Sequence, residues 1–435
     1  MRRRLDGHRH ELAVAADRLY PGTARAGSTR LLTRDGLTAT PWTLATPLDL
    51  REVRLGWVED APAPTVTGRE PEAAALLPEG ADAYPDALGA LARPRLFEDR
   101  VCYRLLDVAW PGLTFTRARY FDGVSVGEAA AHELAAYELA AYELAAYELA
   151  GHGFGGTGLG GHEPAGQGVA GQESGGEGSG GREFAGHEPA GQRVAGQESD
   201  GQESGGERFG GQVSGGHALT GHGDAGGRLP FRGLVGDPTD LRRRPALCAI
   251  STLTLRHDRR TGEASFVLHW RDPARVAHGG GLFQVMPVGV FQPAHESVGA
   301  EKADLDLWKC MVREYAEEFL GRGEEYGDGF DYASWPLYRL LTDAREDGRV
   351  RSHVLGVGVD PLTFATDFLM VTVLEAETFD AAFGEVAAAN SEGRIVGRVP
   401  FDAETVRRHV RDEPMQAAGA AVLDLAWRHR EALLR

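Results

Sequence analysis

The residues with the clearest capacity for chemistry lie between Asp304 and Gly321, in the segment DLDLWKCMVREYAEEFLG. Trp308, Met311, Val312, Tyr315 and Phe319 recur at helical spacing and make one apolar stripe. Asp304 or Asp306 can cap the start of this helix, and Gly321 can supply the left-handed residue that ends it. The opposite face presents Arg313, Glu314, Glu317 and Glu318. Glu314 and Glu318 would stand one turn apart, about 6 Å along the axis, with Glu317 beside them. A patch of three carboxylates repels itself unless something positive neutralises it. A hard divalent cation such as Mg²⁺ or Mn²⁺ takes oxygen ligands of this kind and often shares them with substrate phosphates, where it offsets phosphoryl charge and activates water. The competing reading is a solvated face on which Arg313 pairs with Glu317 at i+4.

Other chemistry-bearing residues give weaker signals. Asp360 and Asp367 flank a Thr-rich loop and could approach the glutamates from a sheet, although turn formation explains such carboxylates more simply. Phe330, Tyr332, Trp335 and Tyr338 could stack on a ligand or pack a core. Cys102, Cys248 and Cys310 lie far apart, which gives neither a disulfide framework nor a metal site and suits three buried small hydrophobes. His152, His162, His187, His217 and His222 are separated by Gly-rich stretches, a poor spacing for a shared metal.

The elements that must position these residues follow from hydrophobic patterning. Leu5 to Leu19 reads as a helix stopped by Tyr20-Pro21-Gly22. Val53 to Val58 reads as a strand, while Arg100 to Leu106 is a strand or a short helix. Ile250 to Leu255 and Ala264 to Trp270 alternate as a hairpin around Asp258 to Gly262. Leu282 to Phe291 reads as a buried strand, a Pro-Gly turn and a second extended piece, and Val354 to Val359 and Phe368 to Leu374 as two more buried strands. Ala417 to Leu434 is a closing helix that packs through Val422, Leu425, Ala426 and Trp427.

Between these halves lies a different kind of sequence. A Glu-Leu-Ala-Ala-Tyr repeat places Leu134, Leu139, Leu144 and Leu149 five residues apart. Each step turns a helix by about 140°, so the leucines spiral and offer no single docking face. The block GHEPAGQ at Gly161 recurs at Gly186, a period of 25 residues, with almost no large apolar side chains to stack. Of the chain's 59 glycines, 30 fall between Gly127 and Arg228, together with 15 acidic and 4 basic residues. That segment therefore carries more than half of the net charge of −18 and reads as an expanded acidic linker. An acidic chain is a poor candidate for gripping a phosphate backbone. No apolar run is long enough to span a membrane. Glu11 and Asp17 interrupt what would be the apolar core of a leader after Arg2 to Arg4, so a cytoplasmic location is expected.

The run Arg313-Glu314-Tyr315-Ala316-Glu317-Glu318 resembles the RExxEE core of the Nudix box, the motif of metal-dependent hydrolases that cleave a nucleoside diphosphate from an attached group. The resemblance implies Glu314, Glu317 and Glu318 as metal ligands and Arg313 as the residue that orients them, with Mg²⁺ or Mn²⁺ as cofactor. The surroundings depart from that pattern. Counting from Gly299, Leu305 stands where the full signature has Glu, although Asp304 and Asp306 flank it, and Leu320 stands where it has Gly, with Gly321 one place late. More widely, Pro47 to Leu134 and Leu229 to the end resemble the C-terminal region of actinobacterial helix-turn-helix regulators of the xenobiotic-response-element type. The segments Tyr120-Phe121-Asp122-Gly123, GLFQVMPVGVFQP, VREYAEEFLG, GVDPLTFATD and PMQAAGAAVLDLAWRHR carry that likeness.

The resulting expectation is an α/β fold, a Nudix-like mixed sheet flanked by helices and interrupted by a long low-complexity insertion. Residues 1–46 are an N-terminal tail and helix, 47–134 the first part of the α/β unit, 135–228 the repeat linker and 229–435 the Nudix-like domain, with the parts on either side of the linker forming one unit. The function implied is a sensory module that recognises a nucleotide-like metabolite with little or no turnover. The alternative is a divergent Mg²⁺-dependent hydrolase of nucleoside diphosphate derivatives. The residues before Pro47 are too few for a helix-turn-helix domain, so any DNA recognition would be through a protein partner, with no direct DNA contact and no membrane.

Overall fold

The structure is a computed structural model that describes residues 5, 8–35, 40–94, 97–151, 228–272, 280–297, 299–323, 326–327, 330–384 and 393–435, with the backbone alone for 142–151. One compact unit comprises Met1–Ala145 and Leu219–Arg435, so the segments before and after the repeats fold together. The second unit, Ala146–Ala218, lies almost wholly outside the described residues, and the five linker histidines lie outside them too.

The first unit is mixed α/β, built on a curled ten-stranded sheet. Strands β7 (Cys248–Asp258) and β12 (Thr366–Glu375) run parallel through its middle, in register from Cys248 opposite Thr366 to His257 opposite Glu375. Successive side chains on a strand point to opposite faces. Phe368, Met370 and Leu374 therefore enter one core, and Leu369, Val371 and Val373 enter another. Burial on both sides explains why β12 reads as a nearly unbroken apolar run. Helices α4 (Leu307–Glu314), α5 (Pro336–Glu346) and α6 (Ala376–Phe383) cover the first face, while α7 (Ala403–Arg411) and α8 (Ala417–Arg428) cover the second.

Strand β8 (Glu263–Arg271) follows β7 in the expected hairpin and pairs with β13 (Gly393–Pro400) along its other edge. The hairpin forks beyond the pair Leu255 and Phe266. Strands β9 (Phe283–Val285) and β10 (Val288–Val290) fill that fork, β9 bonding to β8 and β10 to β7. The fork is what brings β10 against the end of α4.

The N-terminal residues belong to the same sheet. Strand β11 (Val350–Val359) pairs with β12 on one side and with β2 (Leu32–Thr33) and β3 (Thr43–Asp49) on the other, and β1 (Ala24–Arg25) pairs with β2. The expected boundary between residues 46 and 47 falls inside β3, so residues 1–46 are not a separate tail. Their pairing with β11 is a long-range contact that no local pattern announces. A second sheet, of β4 (Arg54–Trp57), β6 (Gly112–Arg119) and β5 (Val101–Ala109), is tied to the first by Leu105 N–H to Ala246 O at 2.9 Å and by packed rings of Tyr103, Phe115, Phe291 and Phe368.

The repeat helix starts earlier than its repeat. Helix α2 (Tyr120–Gly151) docks Ala131, Leu134 and Ala135 against Leu5, Leu12 and Ala16, the last two from α1 (Arg9–Arg18). The first copy thus finds a partner face, whereas Leu139, rotated away, is only half-buried. Glu133 of this helix accepts the N–H groups of Phe231 and Arg232 at 2.7 and 2.9 Å, at the start of α3 (Pro230–Val235). The chain after the repeats is therefore bonded back onto the same helix, at Glu133.

Candidate functional site

The apolar stripe on the predicted helix is buried as expected, at Trp308, Met311, Val312, Tyr315 and Phe319. Asp306 caps it, its carboxylate accepting from Trp308 N and Lys309 N at 2.8 and 3.1 Å, and Gly321 follows its end at φ +65°. The helix is not uniform. The α-helical hydrogen bonding ends at Glu314 and a π-turn takes over from Tyr315 to Phe319. Such bulges recur at functional sites because they shift the side chains beyond them out of the α register. Here the shifted residues include Glu317 and Glu318.

All three glutamates line one cavity of about 1030 Å³, at the upper end of the size range of small-molecule sites. The beginnings of β7 and β12 form another wall, through Cys248, Ala249, Thr366 and Asp367. Glu318 is buried and its Oε2 accepts the N–H of Val288 at 3.2 Å, which anchors it to β10. Glu314 lies directly over Gly289 of the same strand, where a Cβ would sit 1.9 Å from the Glu314 carboxyl carbon. Gly289 is therefore needed for the space it leaves. Tyr326 faces Glu317 and Glu314. Burial raises the tyrosine's pKa, the two carboxylates add to that, and its hydroxyl donates to Glu317.

Arg313 does not join the glutamates. It is buried, donates through Nη2 to Gln292 O at 2.6 Å and through Nη1 to the Tyr332 hydroxyl, and lies with its guanidinium 5.9 Å from the centre of the Tyr326 ring. Tyr332 in turn bonds to Asp304, whose carboxylate also accepts Ala294 N at 2.8 Å. The chain Arg313, Tyr332, Asp304 balances a buried charge and fixes the loop before α4. The guanidinium thus turns inward, away from the glutamates, and the i+4 pair with Glu317 is not formed. Asp304 and Asp306, which flank Leu305, serve the loop and the cap and do not add ligands to the cavity.

Among the described residues, no three His, Cys, Asp or Glu side chains come together closely enough to hold a metal ion. The glutamates share a wall without forming a cage, and one oxygen of Glu318 is already engaged by the backbone. As it stands, this donor set does not fit a dedicated three-ligand centre for Mg²⁺ or Mn²⁺.

The two aspartates divide. Asp360 forms the turn, its Oδ1 accepting from Leu362 N and Thr363 N at 2.7 and 2.9 Å. Asp367 sits in β12 and takes the Ser251 hydroxyl at 2.8 Å, within a buried polar chain that runs through Gln284 to Gln416. Both aspartates line the cavity. Of the aromatic group, Phe330, Tyr332, Trp335 and Tyr338 pack on one another, and Tyr326 extends this cluster to the cavity wall. The three cysteines are free and buried.

Sequence reading missed Arg244. Three arginines run in sequence before Pro245 and meet different fates. Arg242 is exposed, Arg243 donates to Val235 O at 2.6 Å and so caps the end of α3, and Arg244 is only 1 % exposed yet lines the cavity. No local pattern in the three arginines sets Arg244 apart, because its burial depends on Pro238 and Thr366, which folding brings to it. No helix among the described residues is long and apolar enough to cross a membrane. No protein-family model and no curated protein matches this chain, so the likeness of its glutamate segment rests on the residues themselves.

Proposed function

We propose that the chain is a Nudix-fold sensory module, related to the regulators its sequence resembles, that recognises a nucleotide-like metabolite in the cavity beside Glu314, Glu317 and Glu318 with little or no turnover. The observation that carries this reading is the cavity itself: one space large enough for a nucleotide, with three glutamates on one wall and a buried arginine on another. Among the described residues the three glutamates do not close into a cage of the kind a resident hydrolytic metal would use. Mg²⁺ commonly binds through one or two carboxylates and the phosphates of a ligand, so a cation would enter here as part of the ligand complex. The polar chain from Asp367 to Gln416 and the ring of Tyr326 offer hydrogen bonds and a stacking face for the rest of such a molecule. The module would act in the cytoplasm and pass its signal to a protein partner that reads DNA.

A divergent Mg²⁺-dependent hydrolase of nucleoside diphosphate derivatives is the second reading. It is favoured by one specific observation, that all three core glutamates face the same cavity. The two are separated by following thermal stability and product release for the native chain and for Glu317→Gln, against a panel of nucleoside diphosphate derivatives with and without Mg²⁺. The sensor reading expects a raised Tm without product. Product formation abolished by Glu317→Gln establishes the enzyme, and no response to any compound removes both.

A further inference from the structure

Buried arginines are costly unless their charge is answered. Of the five among the described residues, Arg9, Arg104, Arg232, Arg244 and Arg313, two are answered by a carboxylate, while Arg232 spends its donors on three carbonyls and the Tyr20 hydroxyl away from the cavity. Arg9 pairs with Glu128 at 3.2 Å, and Arg313 reaches Asp304 through Tyr332. Arg104 has no such partner and spends two donors on Pro62 O and Leu241 O, but it does not line the cavity. Arg244 alone among the buried arginines described combines a cavity position with the lack of any carboxylate within ion-pair distance.

The donors of Arg244 are only partly used. Nε donates to Pro238 O at 2.7 Å and Nη2 to the Thr366 hydroxyl at 3.0 Å. Guanidinium carries five N–H groups, so both on Nη1 and one on Nη2 are left over, while the buried Thr366 hydroxyl holds the fork from behind. Thr366 is fully buried and lines the same cavity. Pro238 O and Thr366 fix the plane of the fork, so a ligand meets it already oriented. Burial without a counter-charge pulls the Arg244 pKa down to about 10, which still leaves the group charged at neutral pH.

We infer that Arg244, with Thr366, is the anion-recognition point of the cavity and takes a phosphoryl group directly, without an intervening metal ion. This deepens the function proposed above and rests on it, and it divides the cavity into an anion end at Arg244 and a cation-tolerant end at the glutamates. A phosphoryl group there would supply the counter-charge that the fold withholds. Recognition would then survive removal of divalent cations, which a purely glutamate-and-metal site would not allow.

The test is calorimetric titration of the full chain with inorganic pyrophosphate in excess EDTA, with succinate as the carboxylate comparison. The wild type should bind pyrophosphate, Arg244→Lys should weaken it several-fold because a point charge replaces the fork, and Arg244→Met should weaken it by about tenfold or more. The Lys variant keeps the charge and decides the matter should the Met variant fail to fold. Pyrophosphate affinity that is unchanged in Arg244→Lys and in a folded Arg244→Met, or that appears only when Mg²⁺ is restored, overturns the inference. A preference for succinate overturns it too. If a nucleoside diphosphate derivative binds but ignores Arg244, the inference fails while the sensor reading stands; if neither it nor pyrophosphate binds the wild type, both fail.

Discussion

Two glycines on the cavity wall offer a matched experiment on what holds the site. At Gly289 an added Cβ would lie 1.9 Å from the Glu314 carboxyl carbon and 2.0 and 2.3 Å from its oxygens. At Gly127, on α2, it would lie 2.2 Å from the backbone oxygen of Thr363. The overlaps are nearly equal but the yielding parts differ. Glu314 can swing its flexible end aside, at about 0.5–1.5 kcal/mol for a less favoured rotamer, while alanine stiffens the unfolded chain and returns about 0.4–1 kcal/mol. Gly289→Ala should therefore fold with stability within about 1 kcal/mol of wild type, while the cavity loses Glu314 from its place. Thr363 belongs to a turn tied to Asp360, so Gly127→Ala must force a helix and a turn apart, an overpacking of about 1–3 kcal/mol that helix propensity offsets by about 1. A net loss of up to about 2 kcal/mol corresponds, at about 2.1 cal/mol/K per residue over a unit of this size, to a Tm lower by up to roughly 3 °C. Thermal unfolding of both variants, repeated with Mg²⁺ and the nucleoside diphosphate panel, gives the comparison. The reasoning is refuted if Gly289→Ala destabilises as much as Gly127→Ala, or if it leaves the ligand response of the wild type intact.

Two further predictions concern titratable groups. Burial lowers the pKa of His353, Asp49 opposite it opposes the shift, and Arg351 and Arg51 reinforce it; burial also leads the lowering at His10, His257 and His429. Below their ordinary 6.5 the unfolded chain takes up these protons before the folded one does, so stability is full above that value and is lost as pH falls from it through the folded values. Urea midpoints measured between pH 8 and pH 5 should fall on the acid side, and His353→Gln should flatten that fall; an unaltered slope in the variant counts against the assignment. Burial pushes the Cys102 thiol up to about 12 and raises Cys248 and Cys310 as well, so none of the three should react with a thiol reagent at pH 8 until the protein is unfolded. Rapid native labelling of any one of them would contradict this.

Much of the local structure was legible from the residues alone. Period two marked β7 and β8, short apolar runs marked the buried strands β11 and β12, and helical spacing marked α4 and α8, because burial repeats at the pitch of the element. The stop at Gly321 and the cap at Asp306 were equally readable, since both depend on backbone groups one turn away. The strand β13 and the helices α6 and α7 were not singled out. Strand β5, ambiguous at its length, was settled as a strand by its pairing with β6. The π-turn at Tyr315 was invisible too, because the helical spacing of apolar residues continues through it unchanged.

The candidate site divides along the same line. Sequence alone determined that Glu314, Glu317 and Glu318 share one stretch of helix, because spacing along a helix fixes which side chains are neighbours. It also fixed the acidic, Gly-rich character of the insertion. Only tertiary structure decided that those glutamates border a cavity, that Arg313 turns inward to Tyr332, and that Arg244 stands in the same cavity. Those outcomes depend on contacts between residues tens to hundreds of positions apart, from β10 against α4 to β12 beside β7, and the direction of a buried charge is set by the partners that folding brings to it.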